Sequence, residues 1–260
     1  MEFISLGKSN LLDSKISFGA MSLDCKEIEA FGDEADEKAC GIVHHAYSGG
    51  MNFFDISHSR PVCEKRLGAA LHGIRHNVIL ATKTSGQTAA EIRHDLNESL
   101  DALESDYIDL YQIENPLVVP LKDGKDGLYN ELLTLKDKGI IHHIGIASEN
   151  YELIREAVEC GLYETVQFPF SMISSDEVVG LVKLCEKNDV GCIAMQPLNG
   201  GIVNNIPLAF GFFQQFENVV PVWGAHTDEE LQQILYFNEH PPVIDDEFKK
   251  EVENVRLFFN

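Results

Sequence analysis

At 260 residues, with 44% hydrophobic, 24% charged and 9% aromatic side chains, the chain has ordinary globular composition and ample length for a core, which excludes disordered, collagen-like and low-complexity classes. Forty-two acidic against twenty basic side chains give a formal charge of −22, a surface that repels nucleic-acid backbones and anionic membranes but can still admit a small anion at a strand end. No run approaches the roughly 20 apolar residues of a membrane span, and residues 1–15 lack the pattern of a secretory leader, so a cytoplasmic protein is expected.

Residues 1–15, with MEFISL and a polar turn near residues 8–10, predict a hairpin. Short apolar runs rich in β-branched residues then alternate with longer amphipathic ones. The strand-like runs are 16–20, 52–56, 77–82, 107–113, 140–147, 165–168, 191–196 and 219–223, as expected for buried parallel strands. Between them, 34–48 carries Ala39, Ile42, Val43 and Ala46 on one face. In 88–103, Ala89, Ile92, Leu96, Leu100 and Leu103 recur at spacings of three and four. Further helices are predicted over 129–138, 151–160, 176–187 and 228–236, and an extra one over 247–258 after Pro241 and Pro242. Ser175 and Thr227 offer capping side chains, while Gly49, Gly50, Gly73, Gly139 and Gly161 follow helical runs. This alternation predicts an α/β protein: a (β/α)8 TIM barrel with an N-terminal β-hairpin and an extra C-terminal helix, one domain over residues 1–260.

The six cysteines, at positions 25, 40, 63, 160, 185 and 192, show no metal-binding or redox spacing and are expected to be reduced and packed. No metal is expected. His58 could join Glu114 and Cys63 around one by residue type alone, which is a weaker reading.

In such barrels the chemistry sits at the C-terminal ends of the strands. Those ends carry Gly19, Ala20 and Met21, then Asp55 followed by Ser57, His58, Ser59 and Arg60. Lys83, Gln112 with Glu114, Ser148, Gln167, Gln196 and Gly224 follow. A lysine at the end of ILATK is costly to bury unless paired, and Asp55 on the neighbouring strand is the natural partner. The pair either closes the barrel top or forms a polarised site that tunes an acid or base. His142 and His143 lie at the opposite, stability end. His44 and His45 read as helix packing, and Trp223 as core.

The segments LGKSNLLDSKISFGAMSL, GGMNFFDISHS, CEKRLGAAL, VILATKTS, ESLDALESDYIDLYQIENP, LKDKGIIHHIGIAS, VQFPFSMI, IAMQPLNGG and VVPVWGAHTDEELQQIL resemble the aldo-keto reductase family in order and spacing, from Leu6 to Leu235. The resemblance implies a (β/α)8 barrel with an N-terminal hairpin, and hydride transfer between NADP(H) and a carbonyl or alcohol. Of the family's catalytic Asp, Tyr, Lys and His, the aspartate matches Asp55 and the lysine Lys83. Arg60 stands at the tyrosine position and Glu114 at the histidine position. Arginine binds anions but is a poor acid. A glutamate there is similar to members that reduce activated carbon–carbon double bonds, although those keep the tyrosine.

The same resemblance implies that Gln167 holds the nicotinamide carboxamide, with Ser148 in place of the family's strand-five Ser-Asn pair and Phe170 in place of an aromatic in its Q-x-P-Y stretch. It also implies that Pro197, Leu198 and Gly200 form a pyrophosphate loop, all of these residues lying on the cofactor. Gly224 and His226 then fall at the adenosine end, where the family's closing Glu-Asn becomes Gln233 and Ile234. A 2′-phosphate loses its usual basic partner at His226, so the cofactor is NADP(H) or NAD(H). Met21, Arg60 and His58 fall on the substrate side. The expected function is an atypical nicotinamide-dependent oxidoreductase acting on a small carbonyl-containing, anionic substrate. The alternatives are a lyase or isomerase using Asp55, Lys83, Arg60 and Glu114, or a non-catalytic binding protein.

Overall fold

Strands that are apolar on both faces need cover on both, and the chain meets that need by closing a parallel sheet on itself inside a ring of helices. In the computed structural model, which describes residues 1–259, eight parallel strands form a closed barrel. They are β3 (Ser17–Gly19), β4 (Phe53–Asp55), β5 (Ile79–Thr84), β6 (Ile108–Glu114), β7 (Ile141–Ala147), β8 (Thr165–Pro169), β9 (Gly191–Met195) and β10 (Val219–Trp223), with β10 pairing back to β3. Each predicted strand is present, and the ends shift by no more than two residues.

The hairpin is also present. Strands β1 (Phe3–Ser5) and β2 (Leu12–Ser14) pair antiparallel. Leu6 buries with Phe53, Ile79, Ala81, Leu110, Ile193 and Val220 in the barrel floor. Gly7 makes this seating possible: its φ is +52°, and a Cβ there would stand 2.3 Å from the Gly191 nitrogen. Beside the floor, the Asp13 carboxyl is fully buried with no hydrogen-bond partner among the described residues.

Outside the barrel lie α1 (Lys26–Glu29), α2 (Ala35–Ser48), α3 (Pro61–Leu71), α4 (Ala89–Ala102), α5 (Leu128–Asp137), α6 (Tyr151–Glu159), α7 (Asp176–Lys187), α8 (Ile206–Phe213), α9 (Asp228–Glu239) and α10 (Asp246–Phe259). The helical period misses the single-turn α1, and also the longer α3 and α8. Helix α3 buries charged residues Glu64 and Arg66, and α8 is almost wholly apolar, so neither shows a polar face at the expected spacing. Thr227 caps α9 as expected, but Ser175 makes no side-chain cap bond to α7. Among the described residues no helix is long and apolar enough to cross a membrane.

The expected stability-end histidines are structural. His143 bonds Glu164 at 2.6 Å, and the His142 ring stacks on Tyr107 at 4.7 Å between centroids. Burial pushes the Glu164 carboxyl up, but bonds from His143, Lys136 and the Ile144 N–H outweigh it and hold the group down at about 2.

Candidate active site

Strand register builds the mouth. Asp55 ends β4 opposite Ala81 of β5, and Lys83 follows two residues later on the same face. Both side chains are buried. The Lys83 ammonium donates to Asp55 Oδ1 at 2.7 Å, to Asp55 Oδ2 at 2.8 Å and to the Ile56 carbonyl at 2.7 Å. An ammonium has three protons to give, and all three are used.

Gln167, from β8, extends the pair by donating Nε2 to Asp55 Oδ2 at 3.0 Å. Its own Oε1 accepts from Gln112 Nε2 at 2.6 Å. A buried string Gln112–Gln167–Asp55–Lys83 therefore crosses the barrel. Each end of the Gln167 amide makes one bond, which fixes its orientation and leaves one N–H and one oxygen lone pair for a ligand such as a carboxamide. Ser148 is buried beside it, its N–H bonded to the Gln167 carbonyl at 2.9 Å.

Glu114 ends β6 and is half-buried. Its Oε2 accepts from Ser57 Oγ at 2.8 Å, and Ser57 Oγ pairs in turn with Ser59 Oγ at 2.9 Å. Spacing from Asp55 explains this: Ser57 lies an even step away and stays on the inner side. Sequence reading passed over Ser57 and Gln112 as strand-end residues without a role. The even spacing was the available signal for Ser57.

Two expectations, those for His58 and Phe170, need correction. His58 does not face the mouth: its Nδ1 lies 3.4 Å from Ser99 Oγ, and its Nε2 lies 3.6 and 3.5 Å from Asp95 and Glu98 on α4. It sits with Glu64 in an acidic cleft between α3 and α4, away from Glu114, and forms no metal set with Cys63. Burial foremost pushes the Glu64 carboxyl up, against the Thr82 hydroxyl that bonds it. Arg60 is exposed at the start of α3, with no ion pair to Asp55, Glu114 or any other described residue. Phe170 is 1% exposed, enclosed by Phe212, Phe213 and Phe216 at 5.2 to 5.8 Å between centroids, so it presents no open face.

Met21 is exposed at the rim. Its segment is pinned from α3, where Arg66 donates to the Leu23 carbonyl at 2.7 Å and bonds Asp36 and Glu29. The Cys63 thiol reaches the Met21 carbonyl at 3.6 Å, and burial, helped by Asp24, raises it to about 11, which makes it unreactive.

A dinucleotide finds mixed accommodation. After β9, Pro197 and Leu198 lead into Asn199, Gly200 and Gly201, which have φ of +48°, +66° and +90°; Gly200 and Gly201 face open space, a turn suited to a pyrophosphate. A groove of about 420 Å³ beside it is lined by Met172, Ile202, Val203, Asn205 and Phe258. Exposed Gly224 leads to His226, whose N–H and Nδ1 both bond Glu230 Oε2, at 2.8 and 3.1 Å. Glu230 thus takes the backbone N–H and Nδ1 and leaves Nε2 of this exposed histidine open. The residues fit a nicotinamide dinucleotide, and Glu230 sets a negative charge beside the position of an extra phosphate.

These features define a (β/α)8 barrel whose ionisable side chains converge at the C-terminal ends of its strands. The Aldo/keto reductase family model matches residues 15–209, and the chain belongs to that family. An uncharacterized oxidoreductase of Bacillus subtilis, YqkF, is 28% identical over 217 residues, covering 78% of this chain and 67% of the relative. The holo form of aldo-keto reductase AKR11C1 from Bacillus halodurans superposes with a TM-score of 0.82 at 22% identity, covering 98% of this chain and 96% of that one. An aldo/keto reductase from Klebsiella pneumoniae, in complex with NADP and acetate, superposes with a TM-score of 0.80 at 16% identity over 98% and 95%.

Proposed function

We propose that this chain is a nicotinamide-dependent oxidoreductase of atypical site, acting on a small anionic substrate. The observation that carries the reading is the buried Asp55–Lys83 pair at the barrel mouth, with Gln167 bonded to it, in a chain of the aldo/keto reductase family. The open turn at Gly200 and Gly201 supports a dinucleotide, and the Klebsiella neighbour binds NADP. When bound, the nicotinamide supplies the hydride carrier. The chain's part is to place the substrate: Asp55 fixes Lys83, and Gln112 fixes Gln167. Glu114 and Arg60 carry the charged groups still open to a ligand.

Arg60 is the anion site in this reading. Its side chain is exposed after β4, at the start of α3, and makes no ion pair with a described residue, and a guanidinium grips a carboxylate through two parallel bonds. The Klebsiella neighbour's acetate is of that chemical class. Six free thiols fit a reducing compartment, and we place the protein in the cytoplasm. Calorimetry with NADH present and a panel of small carboxylates tests the reading. R60K should weaken carboxylate binding about tenfold, on the order of 1.4 kcal/mol, and R60A more. Unchanged binding in both variants makes Arg60 a bystander.

A further inference from the structure

At the mouth, one carboxylate oxygen is open to take up a proton, and by microscopic reversibility to return it. Lys83 has committed all three N–H bonds to Asp55 and Ile56. Arg60 keeps its proton at any ordinary pH. Each Asp55 oxygen already accepts, one from Lys83 and the other from Lys83 and Gln167. The tyrosines are engaged elsewhere or remote: Tyr111 bonds the Ile92 carbonyl, Tyr129 that of Leu162, Tyr151 that of Pro169 and Tyr163 that of Pro120. Glu114 differs. Ser57 donates to its Oε2, and its Oε1 accepts from no described residue.

We infer that Glu114 is the proton-transfer residue of the site, acting as base when a small 2-hydroxy acid is oxidised, and that Ser57 is the residue that positions it. The inference rests on the oxidoreductase reading above and adds the proton-transfer residue and a substrate class. The substrate hydroxyl gives its proton to Glu114 Oε1. The adjacent C–H bond breaks, its electron pair leaving as hydride to an oxidised nicotinamide, and a C=O bond forms. Ser57 holds one carboxylate oxygen so that the other meets the hydroxyl, and Ser59, exposed and bonded to Ser57, links the pair to solvent. The substrate's carboxylate belongs to Arg60.

The test uses D- and L-lactate, glycerate and 2-hydroxybutyrate with NAD⁺, following reduced cofactor in wild type, E114Q, S57A, S57T and R60A. E114Q should lose about a hundredfold or more in kcat with little change in KM, within the range of general-base catalysis. S57A should lose about tenfold in kcat and S57T should restore it, whereas R60A should raise KM. Calorimetry of lactate with the cofactor-free protein should show binding in E114Q and none in R60A. Equal kcat in E114Q and wild type overturns the inference. So does a protein that binds NAD⁺ yet oxidises none of the four acids, an outcome that leaves the oxidoreductase reading standing. A protein that binds neither NAD⁺ nor NADH removes that reading and this inference with it.

Discussion

Lys83 Nζ lies 2.7 and 2.8 Å from the two carboxylate oxygens of Asp55, inside a barrel mouth where neither side chain meets solvent. Removing one partner strands a buried charge, so D55L or K83M alone should cost about 3–5 kcal/mol in denaturant unfolding. The double variant D55L/K83M should recover at least half of that loss. If the single variants are as stable as wild type, the pair has little structural weight and its geometry serves chemistry alone.

The second prediction concerns proton supply. With arginine at position 60 and glutamate at 114, wild type should reduce simple aldehydes slowly. Placing a phenol at position 60 with R60Y, alone or with E114H, should raise that rate by about tenfold or more where cofactor binding is intact. Fast aldehyde reduction by wild type contradicts this account of the two substitutions.

Glu164 predicts acid sensitivity at the floor. Its carboxyl is held at about 2, against 4.5 when free. A depressed carboxylate stabilises the fold above its unfolded value and loses that contribution as pH falls towards the folded value. The contribution is on the order of 3 kcal/mol near neutrality. Melting curves should therefore fall through that window in wild type and fall less in E164Q, which starts lower.

Asp13 predicts the opposite slope. Burial first, and Asp109 nearby, raise its carboxyl well above the usual range, and no described residue bonds it. The folded state then holds the proton more tightly than the unfolded one, so its stability is full at low pH and declines as pH rises above the ordinary carboxylate value. D13N should melt higher than wild type at neutral and alkaline pH and about the same in acid. Equal melting at all pH values means that Asp13 is not strained.

The barrel is legible in the sequence because its strands are short apolar runs separated by periodic helices, as with 141–147 and 89–102. Helix α8 is not, because IPLAFGFF shows no period on which to recognise a face. At the site, Asp55 and Lys83 are conspicuous as charges ending apolar runs. The Gln112–Gln167 bond is hidden, since it depends on the register that aligns β6, β7 and β8. His58 misleads because it follows Asp55 by an odd step, which turns its ring outward to α4.

Cofactor choice tests the central claim most directly. Trp223 is the chain's single tryptophan, buried at the end of β10 one residue before Gly224, and so reports binding along that loop by energy transfer to a reduced nicotinamide. Titrating wild type, E230Q and H226R/E230Q with NADH and with NADPH should show NADH binding at least about tenfold tighter to wild type, with NADPH gaining in E230Q and more in the double variant. No quenching of Trp223 and no heat of binding with either cofactor would contradict the account.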